Sequence, residues 1–128
     1  MVGIVLVSHS FELASGLAAL ASQVAGDGVK VEPAGGGSDG KPGTTGDAVW
    51  HAITRAECGQ GVVVLADLGS SILTVRHLLD EGRGDGHVRL VDAPFVEGAI
   101  AAAVMSSAGQ GLDDVARAAE EARGASKF

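Results

Sequence analysis

The sequence predicts an α/β fold: an open, doubly wound, mostly parallel sheet of four strands in the order 2-1-3-4, with helices on both faces. Three observations lead there. Four short apolar runs, at residues 2–7, 29–31, 62–66 and 88–91, are mostly rich in Val and show no strict polar alternation. Strands buried on both faces of a parallel sheet have that pattern. A helical segment follows each run, and strands alternating with helices imply right-handed crossovers between parallel strands. Glycine-rich turns at 26–28 and 82–86 then lead from helix back to strand.

The elements follow in order. The second run is the weakest and carries Lys30 and Glu32, which puts it at or near an edge. After the first run, Leu13, Leu17, Leu20 and Val24 repeat at helical spacing as one apolar stripe. After the second, Val49, Ile53 and Ala56 do so more weakly, with Thr44 and Asp47 as a capping pair. After the third, Ile72, Val75 and Leu78 or Leu79 form the stripe. An Ala-rich helix over 96–108, stopped by Gly109, follows the fourth. An amphipathic helix over 112–123 ends the pattern, and the last residues read as a frayed tail.

A chain of 128 residues suits one domain, 1–128, in which about two-thirds of the unfolded surface becomes buried. The apolar fraction of 46% must fill the core with Val, Leu, Ile and Ala, since there are only three Phe, one Trp and no Tyr. Twenty glycines are about twice the number that average usage of ~7% gives, so some must serve turns or close approaches. Sixteen acids against nine bases leave a net charge of −7. Such a surface disfavours nucleic acid and anionic membrane as partners. The single cysteine, Cys58, reads as a buried or half-buried filler at a helix end, which suits a reducing cytoplasm. No signal peptide or membrane-spanning run is present, so a soluble cytoplasmic protein is expected.

In open α/β sheets ligands bind at the carboxyl edge, where the strand order reverses. Four loops reach that edge: Ser8-His9-Ser10, "AGGGSDGKPGTTG", "DLGSS" and "DAPFVEG". The order 2-1-3-4 sets the switch between strands 1 and 3, bringing His9 and Asp67 side by side. A carboxylate that accepts from one imidazole nitrogen leaves the other as a lone-pair nucleophile. Gly69, Ser70 and Ser71 open a helix there and offer N–H groups and hydroxyls to an anion. Ser10 opens another helix, with Glu12 in its first turn, and Thr44 and Thr45 bring further donors from a glycine-rich flap. The chemistry this set suits is phosphoryl transfer through a phosphohistidine. The bland alternatives are an N-cap region at Ser8-His9-Ser10 and an Asx-turn at Asp67. Their joint position at the switch point favours the functional reading.

At these residues the chain resembles a known family. The strings "GIVLVSHS", "AGGGSDGKPGTTGDAVWHAI", "GVVVLADLGSS" and "LVDAPFVEGAIAAAV", in that order, are similar to the phosphotransferase subunits of phosphoenolpyruvate-dependent dihydroxyacetone kinases. These belong to the mannose-type EIIA superfamily, and the match runs to about Gly111. "GTT" and "DLGSS" depart conservatively from the family's usual "GTS" and "DLGSA". The resemblance implies a mannose-type EIIA-like phosphoryl carrier. His9 would accept phosphate from phospho-HPr on its distal nitrogen, with Asp67 holding the other. The phosphoryl group would pass to ADP bound on the DhaL subunit, and the ATP formed would phosphorylate dihydroxyacetone on DhaK. It also implies a homodimer. HPr and enzyme I functions, fused to some members, would come from separate proteins.

Competing readings are fewer in support. A mannose-type transporter subunit would share His9 and Asp67 but pass phosphate to a sugar-specific IIB protein. A non-enzymatic flavodoxin-like regulatory module would use the crevice to hold a nucleotide. The stretch Gly35 to Lys41 matches G-x-x-x-x-G-K, but Pro42 stands where a P-loop needs Ser or Thr for magnesium. A serine hydrolase lacks its nucleophile elbow. His51, His77 and His87 read as surface or packing residues, and no two histidines have metal-ligand spacing, so neither metal nor cofactor is expected.

Overall fold

The computed structural model describes residues 1–36 and 44–128. Most of the glycine flap, with the Gly40-Lys41-Pro42 part of the P-loop-like match, lies outside the described residues. Strands and helices alternate: β1 (Gly3–Ser8), α1 (Phe11–Ala25), β2 (Val31–Gly35), α2 (Gly46–Ala56), β3 (Val62–Ala66), α3 (Gly69–Asp80), β4 (Val88–Leu90), α4 (Phe95–Ser107), α5 (Leu112–Glu121) and a 3-10 turn at Ala122–Gly124. The sheet runs β2-β1-β3-β4, and every neighbouring pair is parallel. This is the order the sequence predicts.

The central strands explain the missing alternation. Every residue of β1 and β3 is buried. Ile4, Leu6, Val63 and Leu65 pack into a layer with α1, α4 and α5. Val5, Val7, Val62 and Val64 face the other way, onto α2 and α3. Each fully buried Val or Leu stabilises the fold by about 1.5–3 kcal/mol relative to exposure, so both faces select apolar residues.

Several boundaries differ from expectation. β2 begins at Val31 and runs through Pro33 to Gly35. Proline donates no ladder hydrogen bond, and an edge strand tolerates it. The α1 stripe is also different. The buried residues are Ala14, Leu17, Ala18 and Ala21, whereas Leu13, Leu20 and Val24 are exposed. α1 is wedged between the sheet and α4, where small side chains permit close approach. The α2 cap is Thr45, one residue after the expected Thr44. α4 begins at Phe95 and gives way to Gly109 at φ 82°. Cys58 is exposed just past α2 and not half-buried; its thiol donates to the Met1 carbonyl at 2.8 Å.

Two features aim the carboxyl edge. Asp67 N–H donates to the Val7 carbonyl at 3.1 Å, which ties the end of β3 to the end of β1. At the end of β2, Gly35 lies opposite Ser8, and a Cβ there would come within 2.3 Å of the Ser8 carbonyl oxygen. Only glycine lets the edge strand pass this close to the turn that carries His9.

Candidate active site

β1 ends at Ser8 and α1 starts at Phe11, so His9 sits in the two-residue junction at the switch point. β3 ends at Ala66, and Asp67 follows at the matching place on the neighbouring strand. The His9 Nδ1 to Asp67 Oδ1 distance is 3.1 Å. Ring and carboxylate differ in access, with 26% of the His9 side chain exposed against 11% for Asp67. A partner can reach the ring while the carboxylate stays behind it.

Asp67 is held by several donors. The Ser8 hydroxyl donates to Oδ2 at 2.8 Å, and the His9 N–H donates to the same oxygen at 3.1 Å. The Leu68 N–H donates to Oδ1 at 2.7 Å. Burial pushes the Asp67 pKa up, but these hydrogen bonds and one from the Ser71 hydroxyl together outweigh it and lower the pKa to about 2. Asp67 is therefore ionised at neutral pH and only accepts. The Nδ1 contact must then carry a proton, which leaves the lone pair on Nε2 of the neutral ring.

Nε2 faces the start of α3, where the Ser70 hydroxyl meets it. The N-cap position of α3 is Leu68, and no side chain caps its first turn. A Cβ at Gly69 would meet nothing within 4 Å. Uncapped N–H groups at a helix start, with the positive end of its dipole, favour an anion such as a phosphoryl group.

The other predicted site residues separate into two groups. Ser71, fully buried, lies on the Nδ1 side of the ring, with its Oγ 3.2 Å from Nδ1. Thr44 Oγ1 is 3.1 Å from Ser71 Oγ and donates to the Ser8 carbonyl at 3.3 Å. Ser10 and Thr45 serve their own helices: Ser10 Oγ accepts from Leu13 N–H at 3.3 Å, and Thr45 Oγ1 accepts from Ala48 N–H at 3.2 Å. Two site residues were not assigned a role from the sequence. Ser8 is fully buried, donating to Asp67 and accepting from Ser10 N–H at 3.0 Å. Gly35 was hidden because Pro33 obscured the strand that ends on it. A glycine closing the strand beside the His9 turn was the available signal.

Among the described residues, cavities of 440, 550, 660 and 680 Å³ are lined by neither His9 nor Asp67. The histidine lies on an open edge. Among the described residues, no three His, Cys, Asp or Glu side chains come together as a metal site.

A family model described as EIIA-man, PTS system fructose IIA component, matches residues 3–116. The chain belongs to this family. Its relatives include the phosphoryl donor subunit DhaM of PEP-dependent dihydroxyacetone kinase 2 from Listeria innocua, 37% identical over 109 residues, covering 83% of this chain and 86% of the relative. The phosphotransferase subunit DhaM of the PTS-dependent dihydroxyacetone kinase of Lactococcus lactis is 36% identical, covering 84% of each chain. The DhaM of Klebsiella michiganensis is 39% identical over 90% of this chain, which spans only 25% of that longer relative. A crystal structure of a protein of unknown function, EF1359, superposes with a TM-score of 0.82 at 30% identity, covering 94% of this chain and 95% of the other. The resemblance to the dihydroxyacetone kinase subunits read from the sequence is thus borne out, as is the EIIA-like fold.

Proposed function

We propose that the protein is a phosphoryl carrier that accepts phosphate from phospho-HPr on Nε2 of His9. It passes the group to ADP bound on a DhaL subunit, and the ATP formed drives phosphorylation of dihydroxyacetone on DhaK. The observation that carries this reading is the pairing of His9 Nδ1 with an ionised Asp67, with Nε2 directed at the uncapped start of α3. Phosphoryl transfer asks the protein for positioning and charge stabilisation more than for covalent chemistry. An N-phosphoimidazole is a high-energy phosphoramidate, so transfer to ADP runs downhill.

The surroundings support partners that are proteins. Phe11 and Leu68, next to the site in sequence, are exposed, as is Leu73 on α3. The first turns of α1, α2 and α4 carry Glu12, Asp47 and Glu97. An apolar, acidic rim suits a docking partner with a basic face. The family resemblance further supports a homodimer working in the cytoplasm; among the described residues no helix is long and apolar enough to cross a membrane.

The test is reconstitution with phosphoenolpyruvate, enzyme I and HPr. Acid-labile phosphate should appear on the wild type and be absent from His9→Ala. Adding DhaK, DhaL and dihydroxyacetone should then yield dihydroxyacetone phosphate. Labelling that is followed by no kinase activity would redirect the acceptor to a sugar-specific IIB protein.

A further inference from the structure

We propose that the free edge of β4 pairs, antiparallel, with the same edge of a second copy of this chain, so that two four-stranded sheets become one. The two edges of the sheet differ. At the β2 edge the Lys30 carbonyl accepts from Ile4 N–H, so alternate residues from Lys30 face β1, and Val31, Pro33 and Gly35 face outward. Pro33 has no N–H to offer, and a proline there discourages pairing with another chain. At the β4 edge the His87 carbonyl accepts from Val62 N–H, and Val91 N–H donates to the Val64 carbonyl. Residues 87, 89 and 91 therefore face β3, and Val88, Leu90 and Asp92 face outward. Asp92 is closed by its own chain: its N–H meets the Glu120 carboxylate at 3.4 Å, and its carbonyl accepts from Arg123. The outward N–H and carbonyl groups of Val88 and Leu90 have no partner among the described residues.

The side chains around this opening say what fills it. A cleft of 680 Å³ between α3 and β4 is lined by half-buried Ile72, Leu79, Val88 and Leu90, together with exposed Arg76 and Asp80. Neither Arg76 nor Asp80 joins an ion pair among the described residues. An antiparallel copy centred on Arg89 sets Val88 of one chain against Leu90 of the other. Each then exchanges its N–H and carbonyl with the residue opposite, and the two apolar side chains meet on the α3 face. The same two-fold axis sets the α3 helices antiparallel, so Arg76 of each copy meets Asp80 of the other. A basic and an acidic residue one turn apart make a self-complementary pair. A wholly basic or wholly acidic strand would leave one of them unmatched. Arg89, which faces its own copy across the axis, is already paired with Asp113 at 2.6 Å.

That a second copy is present rests on the homodimer reading above; which face it covers follows from the edge. The carboxyl edges of the joined sheets point in opposite directions, so each His9 keeps its own approach.

Sedimentation of the full chain reads mass against concentration, and amide hydrogen exchange reads the edge itself. The wild type should sediment as a dimer, with the Val88 and Leu90 amides exchanging more slowly as concentration rises. Leu90→Pro removes an outward N–H that the single chain does not use, and should shift the protein to monomer. Arg76→Asp, on an exposed helix surface where folding is not at stake, should weaken the dimer about 10-fold or more, and adding Asp80→Arg should restore it. A folded Leu90→Pro and an Arg76→Asp that both stay fully dimeric would overturn the proposal while the homodimer stands. A wild type that is monomeric at every concentration would overturn both. Amides protected only on adding HPr or DhaL would give the edge to a partner and overturn the proposal too. Loading of His9 from phospho-HPr, measured on the same samples, tests the carrier reading separately.

Discussion

The starts of α1 and α3 lie side by side at the same sheet edge, yet they treat their first N–H groups in opposite ways. α1 has Ser10 at its N-cap, and that hydroxyl is spent on Leu13 N–H. α3 has Leu68 there, which caps nothing, and the hydroxyl of Ser70 points to Nε2 of His9. A cap satisfies a helix and removes a ligand site; an uncapped start leaves donors for an anion. His9 lies just ahead of the capped helix and faces the uncapped one, whose free N–H groups would receive the phosphoryl group in the proposed carrier.

The sharpest way to break this arrangement is at the carboxylate between the two starts. Asp67→Asn keeps the shape but can donate to Nδ1 and so select the wrong tautomer. Phosphate loading should fall by on the order of 10³–10⁴-fold, measured as the initial rate from phospho-HPr. Next is the contrast itself. Ser70→Ala should cut the loading rate by on the order of 10²-fold, as loss of one transition-state donor does, with the melting temperature unchanged. Ser10→Ala should do the reverse, costing about 1 kcal/mol of stability in a denaturant titration and leaving the loading rate near wild type. Equal behaviour of the two serine variants would remove the distinction.

Gly35→Ala tests how the turn is aimed. Its Cβ would fall 2.3 Å from the Ser8 carbonyl, so either strand or turn must shift. Loss of stability of about 1–3 kcal/mol is expected, together with moved amide resonances at Ser8, His9 and Ser10. The smallest effect is on acid stability. Asp67 has its pKa lowered to about 2 in the fold, below the ordinary carboxylate value. Its contribution is therefore fully present above about pH 4 and is lost as pH falls toward 2. The stability gap between wild type and Asp67→Asn should be constant from pH 7 to about 5 and close below pH 4.

Much of the fold was legible because β1 and β3 are buried on both sides, which writes an uninterrupted Val-rich run into the sequence. β2 was displaced by two residues because Pro33, allowed only by its edge position, looks like a strand breaker. The α1 face was misread for a different reason. Large apolar residues attract a core assignment, but the close contact of α1 with α4 and the sheet selects Ala14, Ala18 and Ala21. His9 and Asp67 could be paired from sequence since the strand order alone brings their loops together. The separate duties of Ser70 and Ser71 could not. Adjacent helix residues point about 100° apart, and a one-residue change in where α3 starts would exchange them. The same holds for Thr44 and Thr45, where one reaches the site and the other caps α2.

The central claim is that Nε2 of His9 is the atom that takes the phosphoryl group. Two-dimensional phosphorus–nitrogen NMR on protein loaded from phosphoenolpyruvate, enzyme I and HPr tests it most directly. The account predicts a single phosphoramidate coupled to Nε2 of His9, with Nδ1 still protonated. Phosphate on Nδ1, on another residue, or on no residue at all would contradict it.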